Sequence, residues 1–179
     1  MELDLTALKR LVDKEAIREA SLRYTRGIDR HDEALLRSAY HPDATDDHGA
    51  FIGSVEEFVD YANRVHAQNW VCHQHYVTNR VIDLDGDSAH CESYFLAVLK
   101  RGDGVCDLVG GRYVDRLDRR DGAWGIVERV CMVEWNVEAG PGAAALDATL
   151  FVAGSWDKSD PSYMRPLRAA RAARDLSQG

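Results

Sequence analysis

Between residues 5 and 28 apolar side chains return every third or fourth position, at Leu5, Leu8, Leu11, Val12, Ala16, Ala20 and Tyr24, with charged residues between them. That spacing predicts an amphipathic helix, weakened near its end by Gly27, just ahead of Ile28 and Asp29. Asp32 resembles an N-cap, so a short second helix is expected over residues 33–40, stopping before Pro42. The polar stretch 41–53 reads as a loop with a short strand. Ser54 and Glu57 have the spacing of a capping box and open a third helix through His66, with Val55, Phe58, Val59 and Ala62 on one side.

From Val71 the period changes to two. Segments 75–83 and 89–101 flank Asp85-Gly86-Asp87, and segments 106–118 and 124–138 flank Arg119-Arg120-Asp121-Gly122; both are hairpin signals. Four long antiparallel strands follow, in meander order. Helices first and strands afterwards make an α+β fold, here a cone of three N-terminal helices on one face of a curved antiparallel sheet. A pocket is expected at its mouth, where helices and concave sheet leave the middle unfilled. Residues 1–140 form this one domain, and 141–179 read as a C-terminal extension contributing to the pocket or to oligomer contacts.

Composition narrows the class. The chain has 179 residues, 45% hydrophobic and 29% charged, enough for a genuine core. A net charge of −8 argues against a surface for nucleic-acid phosphates. The first residues are acidic where a signal peptide would be basic, and no apolar run spans a membrane, so a cytoplasmic protein without membrane contact is expected. Cys72, Cys91, Cys106 and Cys131 lack metal-site spacing and read as small apolar residues.

The chemistry centres on the stretch HQHYVTN, from His73 to Asn79. Side chains at i and i+2 of a strand share a face, so His73 and His75 point the same way. The pair could begin a metal site, but only His90 among the other histidines lies in a later strand. It could also be structural. Asp29 favours a third reading. It ends a helix whose apolar face packs on this sheet, and an inward carboxylate is costly unless paired. An imidazole on the facing strand is its natural partner, and such pairing fixes the tautomer and raises the basicity.

Three stretches, RYTRGIDRHDEALL (23–36), HQHYVTNRVIDLDGDSA (73–89) and YVDRLDRRDGAWGIVERVCMVEW (113–135), resemble in order and spacing the SnoaL-like branch of the nuclear-transport-factor-2-like superfamily. The style is that of hexachlorocyclohexane dehydrochlorinase, scytalone dehydratase and bile-acid 7α-dehydratase. The resemblance implies an α+β cone, commonly a homotrimer, that uses a His–Asp dyad and no cofactor or metal to remove a proton next to a leaving group. Carried over by position, it implies Asp29 and His75 as the dyad, Tyr24 as a hydrogen-bond donor to substrate and Arg129 as the group that steadies developing negative charge. Trp70, Tyr94, Phe95, Met132 and Trp135 would line an apolar pocket if they face inwards. Val133 stands where the bile-acid enzyme has arginine, which counts against a bile-acid-like substrate.

The expected function is therefore a cofactor-independent lyase or isomerase, dehydratase- or dehydrochlorinase-like, acting on a hydrophobic cyclic small molecule. Two alternatives share the fold: a non-catalytic binding or assembly module, and the small subunit of a ring-hydroxylating dioxygenase.

Overall fold

Asp4 opens helix α1 (Leu5–Asp29) by accepting the backbone N–H groups of Thr6 and Ala7 on its carboxylate. In the computed structural model, which describes residues 4–140 and 152–168, only the later part of α1 is covered. Ile17, Ala20, Tyr24 and Ile28 enter the core, whereas Leu5, Leu8, Leu11 and Val12 are exposed. The apolar stripe expected along the whole helix thus overshoots the sheet for its first turns. Helix α2 (Glu33–Arg37) follows at once, with Asp32 accepting the Leu35 N–H. A Cβ on Gly27 would lie 2.5 Å from the Leu36 nitrogen, so glycine is what lets the two helices touch.

The second helix does not reach residue 40. Tyr40 begins strand β1 (Tyr40–Asp47), which pairs in parallel with β6 (Ala123–Ala139). Pro42 has no N–H to give a ladder, and it sits within the register shift between Tyr40 and Thr45, where none is required. The polar stretch expected as a loop with one short strand is therefore a hairpin of β1 with β2 (Ile52–Ser54), closed by the His48 N–H donating to the Phe51 carbonyl at 2.7 Å. The capping box at Ser54 and Glu57 forms as expected, and helix α3 (Val55–Asn69) runs a turn beyond His66.

Strands β3 (Cys72–Asp85), β4 (Ser88–Lys100), β5 (Cys106–Arg120) and β6 pair antiparallel as a meander. The sheet order is β2-β1-β6-β5-β4-β3, so the curved sheet is antiparallel except at β1–β6. Its concave face supplies Ile82, Phe95, Ala97, Leu99, Tyr113 and Ile126 to the core beneath the three helices. The opposite face exposes Tyr94, Val130, Met132 and Trp135. After β6 the segment 152–168 returns to the α1–α2 corner, where the Tyr163 hydroxyl donates to Asp32 at 2.8 Å. The small-residue stretch after Gly140 and the alanine-arginine tail lie largely outside the described residues. Among the described residues no helix is long and apolar enough to cross a membrane.

Candidate active site

Asp29 is the last residue of α1, where the unsatisfied carbonyls of a helix end make an unpartnered carboxylate unfavourable. It is answered by β3. Its Oδ1 accepts from Nδ1 of His75 at 2.6 Å and from Nδ1 of His73 at 3.1 Å, and its Oδ2 accepts the His75 backbone N–H at 2.9 Å. Burial pushes the Asp29 carboxyl upward, but the bonds from His73 and His75 outweigh it and hold the group at about 2. The carboxylate is therefore charged across the physiological range and locks the orientation of both imidazoles.

The two histidines are not equivalent. His73 is fully buried, and its Nε2 lies 3.2 Å from Nε2 of His31, which stacks on Trp156 at 4.2 Å. With Nδ1–H committed to Asp29, His73 Nε2 can only accept, so His31 donates. His75 has the same tautomer, with no partner for Nε2 among the described residues, and its ring lines the cavity. Two more histidines crowd the group. His66 on α3 lies parallel to His75 at 5.8 Å and edge-on to His73 at 4.5 Å, with Nδ1 buried and unpartnered among the described residues. Burial, then the neighbouring imidazoles, lowers His66 to about 2; burial, then His73, lowers His31 to about 4. Both stay neutral.

The cavity has a volume of about 410 Å³ and an apolar throat that includes Phe58, Trp70, Phe95, Leu99 and Val109. At its rim Arg101 is ion-paired with Asp107 and Glu138. Trp70 is held by its indole N–H, which donates to Asp107 at 2.8 Å. The hollow is mostly apolar, with His75 in its wall.

Not every expected residue reaches it. Trp70 and Phe95 line the cavity; Tyr94, Met132 and Trp135 do not, and all three are exposed on the outer face. The reason for Trp135 is a bulge. Gly110 pairs with Trp135 but Gly111 with Val133, so Glu134 is an extra residue and the alternation flips. Cys131 and Val133 face inwards before the bulge, and Asn136 and Glu138 after it. Trp135 is turned out over Gly110, where a Cβ would lie 2.2 Å from the indole.

Tyr24 and Arg129 lie behind the wall and have almost no accessible surface. Arg129 was expected to reach developing negative charge. Instead its Nε and Nη2 donate to the two oxygens of Asp115, each at 2.7 Å, drawn there by cross-strand pairing of these residues. Its guanidinium lies over the Tyr24 ring at 4.0 Å and the Tyr113 ring at 4.4 Å. The Tyr24 hydroxyl lies 3.4 Å from Nε2 of His48 rather than in the cavity.

That contact leads to a group the sequence reading passed over. Asp46 on β1 is fully buried; its Oδ1 accepts from Nδ1 of His48 at 2.6 Å and its Oδ2 accepts the Tyr40 hydroxyl at 2.6 Å. The His48 ring lines the cavity. The signal was in the sequence: Asp46 and His48 stand two apart, the same spacing that marked His73 and His75, but in a stretch expected to be a loop with only a short strand.

Asp29, His73 and His75 also bring ligand atoms within 4.8 Å of one another, which could suit a cation. The Nδ1 atoms that would bind it are those already donating to Asp29. A cation would therefore have to displace a proton from each.

Three helices over a curved sheet, with an apolar hollow and an imidazole–carboxylate pair in its wall, define the nuclear-transport-factor-2-like cone. The chain belongs to the SnoaL-like domain family, whose model matches residues 9–130. Among solved structures it is similar to a type 2 hexachlorocyclohexane dehydrochlorinase, LinA, with TM-score 0.71 and 22% identity over 79% of this chain and 98% of that one. The type 3 enzyme from Novosphingobium barchaimii gives 0.69 and 23% over 74% and 94%. A protein named as a scytalone dehydratase, from Novosphingobium aromaticivorans, gives 0.65 and 18% over 76% and 97%. No curated protein matches the sequence.

Proposed function

We propose that this protein is a cofactor-independent lyase or isomerase that removes a proton from carbon in a hydrophobic cyclic small molecule, with His75 as base and Asp29 as its orienting partner. The observation that carries the reading is the double hold of Asp29 on His75, side chain at 2.6 Å and backbone at 2.9 Å, with the ring in the wall of an apolar cavity. The free Nε2 takes a proton from carbon. The C–H electron pair becomes the new double bond, and the leaving group departs with its own bonding pair. Asp29 stabilises the imidazolium that forms. The likeness to dehydrochlorinase and dehydratase structures supports this class of reaction.

The test is deuterium exchange at the carbon next to the carbonyl of 1-tetralone, a ring ketone of fitting size, in heavy water. Catalysed exchange is expected from the wild type and none from His75→Ala at unchanged circular dichroism. Binding without exchange would instead support the non-catalytic module. A homotrimer in the cytoplasm belongs to the same reading, supported by the exposed Tyr94, Met132 and Trp135 of the outer sheet face. Light scattering at micromolar concentration would return three times the chain mass.

A further inference from the structure

His48 and Asp46 form a second imidazole–carboxylate pair on the same cavity, and the proton-abstraction reading leaves it without work. Its position is built, not incidental. In the sheet order, β1 and β3 are separated by β6, β5 and β4, so His48 and His75 enter the hollow from well-separated strands of a curved sheet. The turn that holds His48 is fixed by its own N–H to the Phe51 carbonyl at 2.7 Å and by Gly49 at φ 72°. Facing the ring are Asp46 from its own strand, Tyr24 from α1, Phe58 from α3, Tyr113 from β5 and Cys131 from β6.

Charge accounting then decides the protonation state. Asp46 has no accessible surface, and among the described residues its Oδ2 receives only the neutral Tyr40 hydroxyl. Arg129 is nearby, but it is committed to Asp115 through two bonds. A buried carboxylate is costly without a positive partner, and His48 is the imidazole in contact with it. Burial pushes the imidazole down; the Asp46 carboxylate, with a smaller contribution from Cys131, overcomes this and raises it to about 9. His31 and His66 are driven the opposite way. The Nε2 side of this ring faces the Tyr24 hydroxyl at 3.4 Å and the Cys131 thiol, and the ring is partly open to the cavity.

We propose, resting on the reading of His75 as base, that His48 is the catalytic acid of the same reaction, held by Asp46 as positioning residue, and that the departing or activated group of the substrate is therefore an oxygen. His75 takes the proton from carbon, and the C–H pair forms the double bond. The C–O bond breaks with its electrons on oxygen, which takes the proton from His48 Nε2 and leaves as water. His75 ends protonated and His48 neutral beside Asp46, and solvent returns both to their starting states. Where a ring carbonyl is enolised instead, the same N–H supports the developing oxyanion. A halide needs no proton to leave, so this acid would be idle with one.

Three measurements test this. In wild-type protein labelled with nitrogen-15 histidine, His48 is expected to carry protons on both ring nitrogens at pH 7 and to lose one only near pH 9. A neutral His48 at pH 7 overturns the proposal, and no variant has to fold to learn it. Second, 1-naphthol is expected to bind at least 10-fold more tightly than naphthalene. That preference should vanish in His48→Gln and persist in His75→Gln. Equal binding of the two rings by the wild type, or a preference that survives His48→Gln, overturns it. Failure of both rings to bind removes the reading of the cavity and the proposal with it. Third, the ratio of elimination rates for 3-hydroxy-1-tetralone over 3-chloro-1-tetralone should fall by about 100-fold in His48→Gln. An unchanged ratio overturns the acid role. Activity retained in His75→Gln would refute the base assignment separately.

Discussion

The two carboxylates that hold histidines in this cavity do so in opposite ways. Asp29 divides its charge between His73, His75 and a backbone N–H, amid two further imidazoles that burial keeps neutral. Asp46 has one imidazole and one tyrosine hydroxyl, in a place with no solvent. The same two functional groups thus give different chemistry according to how many partners share the carboxylate. A crowded histidine group leaves a free Nε2 to accept a proton, whereas a dedicated pair holds a proton ready to give.

The largest effect is expected from breaking the first arrangement. Asp29→Asn keeps the shape but can no longer stabilise an imidazolium at His75, and an amide nitrogen pointed at Nδ1–H would clash with it. Turnover or exchange should fall by about 10²–10⁴-fold, while thermal unfolding stays cooperative. Wild-type rates in this variant would mean that the carboxylate serves only to close the helix end. Next in size is the buried ion pair behind the wall. Asp115→Asn strands the Arg129 guanidinium, which has no accessible surface. Loss of one partner from such a pair costs about 3–5 kcal/mol, readable as a fall in the denaturation midpoint. A loss below 1 kcal/mol would show that water reaches the guanidinium.

How much of this was legible beforehand depends on how local the deciding interactions are. Helix α1, the capping box at Ser54 and the four long strands rest on periodicity and neighbouring residues, and they fall close to where the pattern puts them. The meeting of Asp29 with a histidine of the facing strand was also readable, because an inward carboxylate at a helix end demands a partner; the choice of His75 over His73 came from the family resemblance. Strand β1 was not, since its polar run holds together through parallel pairing with a strand more than eighty residues away. The outward turn of Trp135 depends on one inserted residue, Glu134, that alternation cannot foresee. Tyr24 and Arg129 were read from resemblance as cavity groups; Asp115, a cross-strand neighbour no local pattern links to Arg129, draws the arginine behind the wall.

The contrast between the two pairs also sets opposite pH limits on stability. Asp29 has its folded value lowered to about 2, so its contribution is present above the ordinary carboxylate range and lost as pH falls through that value. His66, lowered to about 2, acts in the same direction: its buried neutral form favours folding above about 6.5 and is penalised progressively below it. His48, raised to about 9, does the reverse. Its stabilisation is complete below about 6.5 and disappears as pH rises through 9. Chemical denaturation across pH should therefore give a stability maximum near neutrality with two limbs. His66→Gln should flatten the acid limb between pH 6.5 and 4, and His48→Gln the alkaline limb between pH 7 and 10, each by on the order of 2 kcal/mol. An alkaline limb unchanged in His48→Gln would mean that Asp46 has no cationic partner in the folded state.

The smallest expected effect tests how far the support of Asp29 extends. Trp156 stacks on His31 at 4.2 Å, His31 meets His73 at 3.2 Å, and His73 shares the oxygen of Asp29 that orients His75. Trp156→Ala removes the outermost link while leaving every group at the cavity in place. Loss of one aromatic stack is worth about 0.5–1.5 kcal/mol of stability, and the rate of exchange should fall about 2- to 10-fold if His31 loses its alignment, since about 1.4 kcal/mol corresponds to tenfold. The two readouts separate the possibilities. A stability loss with an unchanged rate would mean that the segment 152–168 only covers the α1–α2 corner. A rate loss matched in His31→Ala, with no further loss when the two changes are combined, would place both residues on one line of support reaching the base.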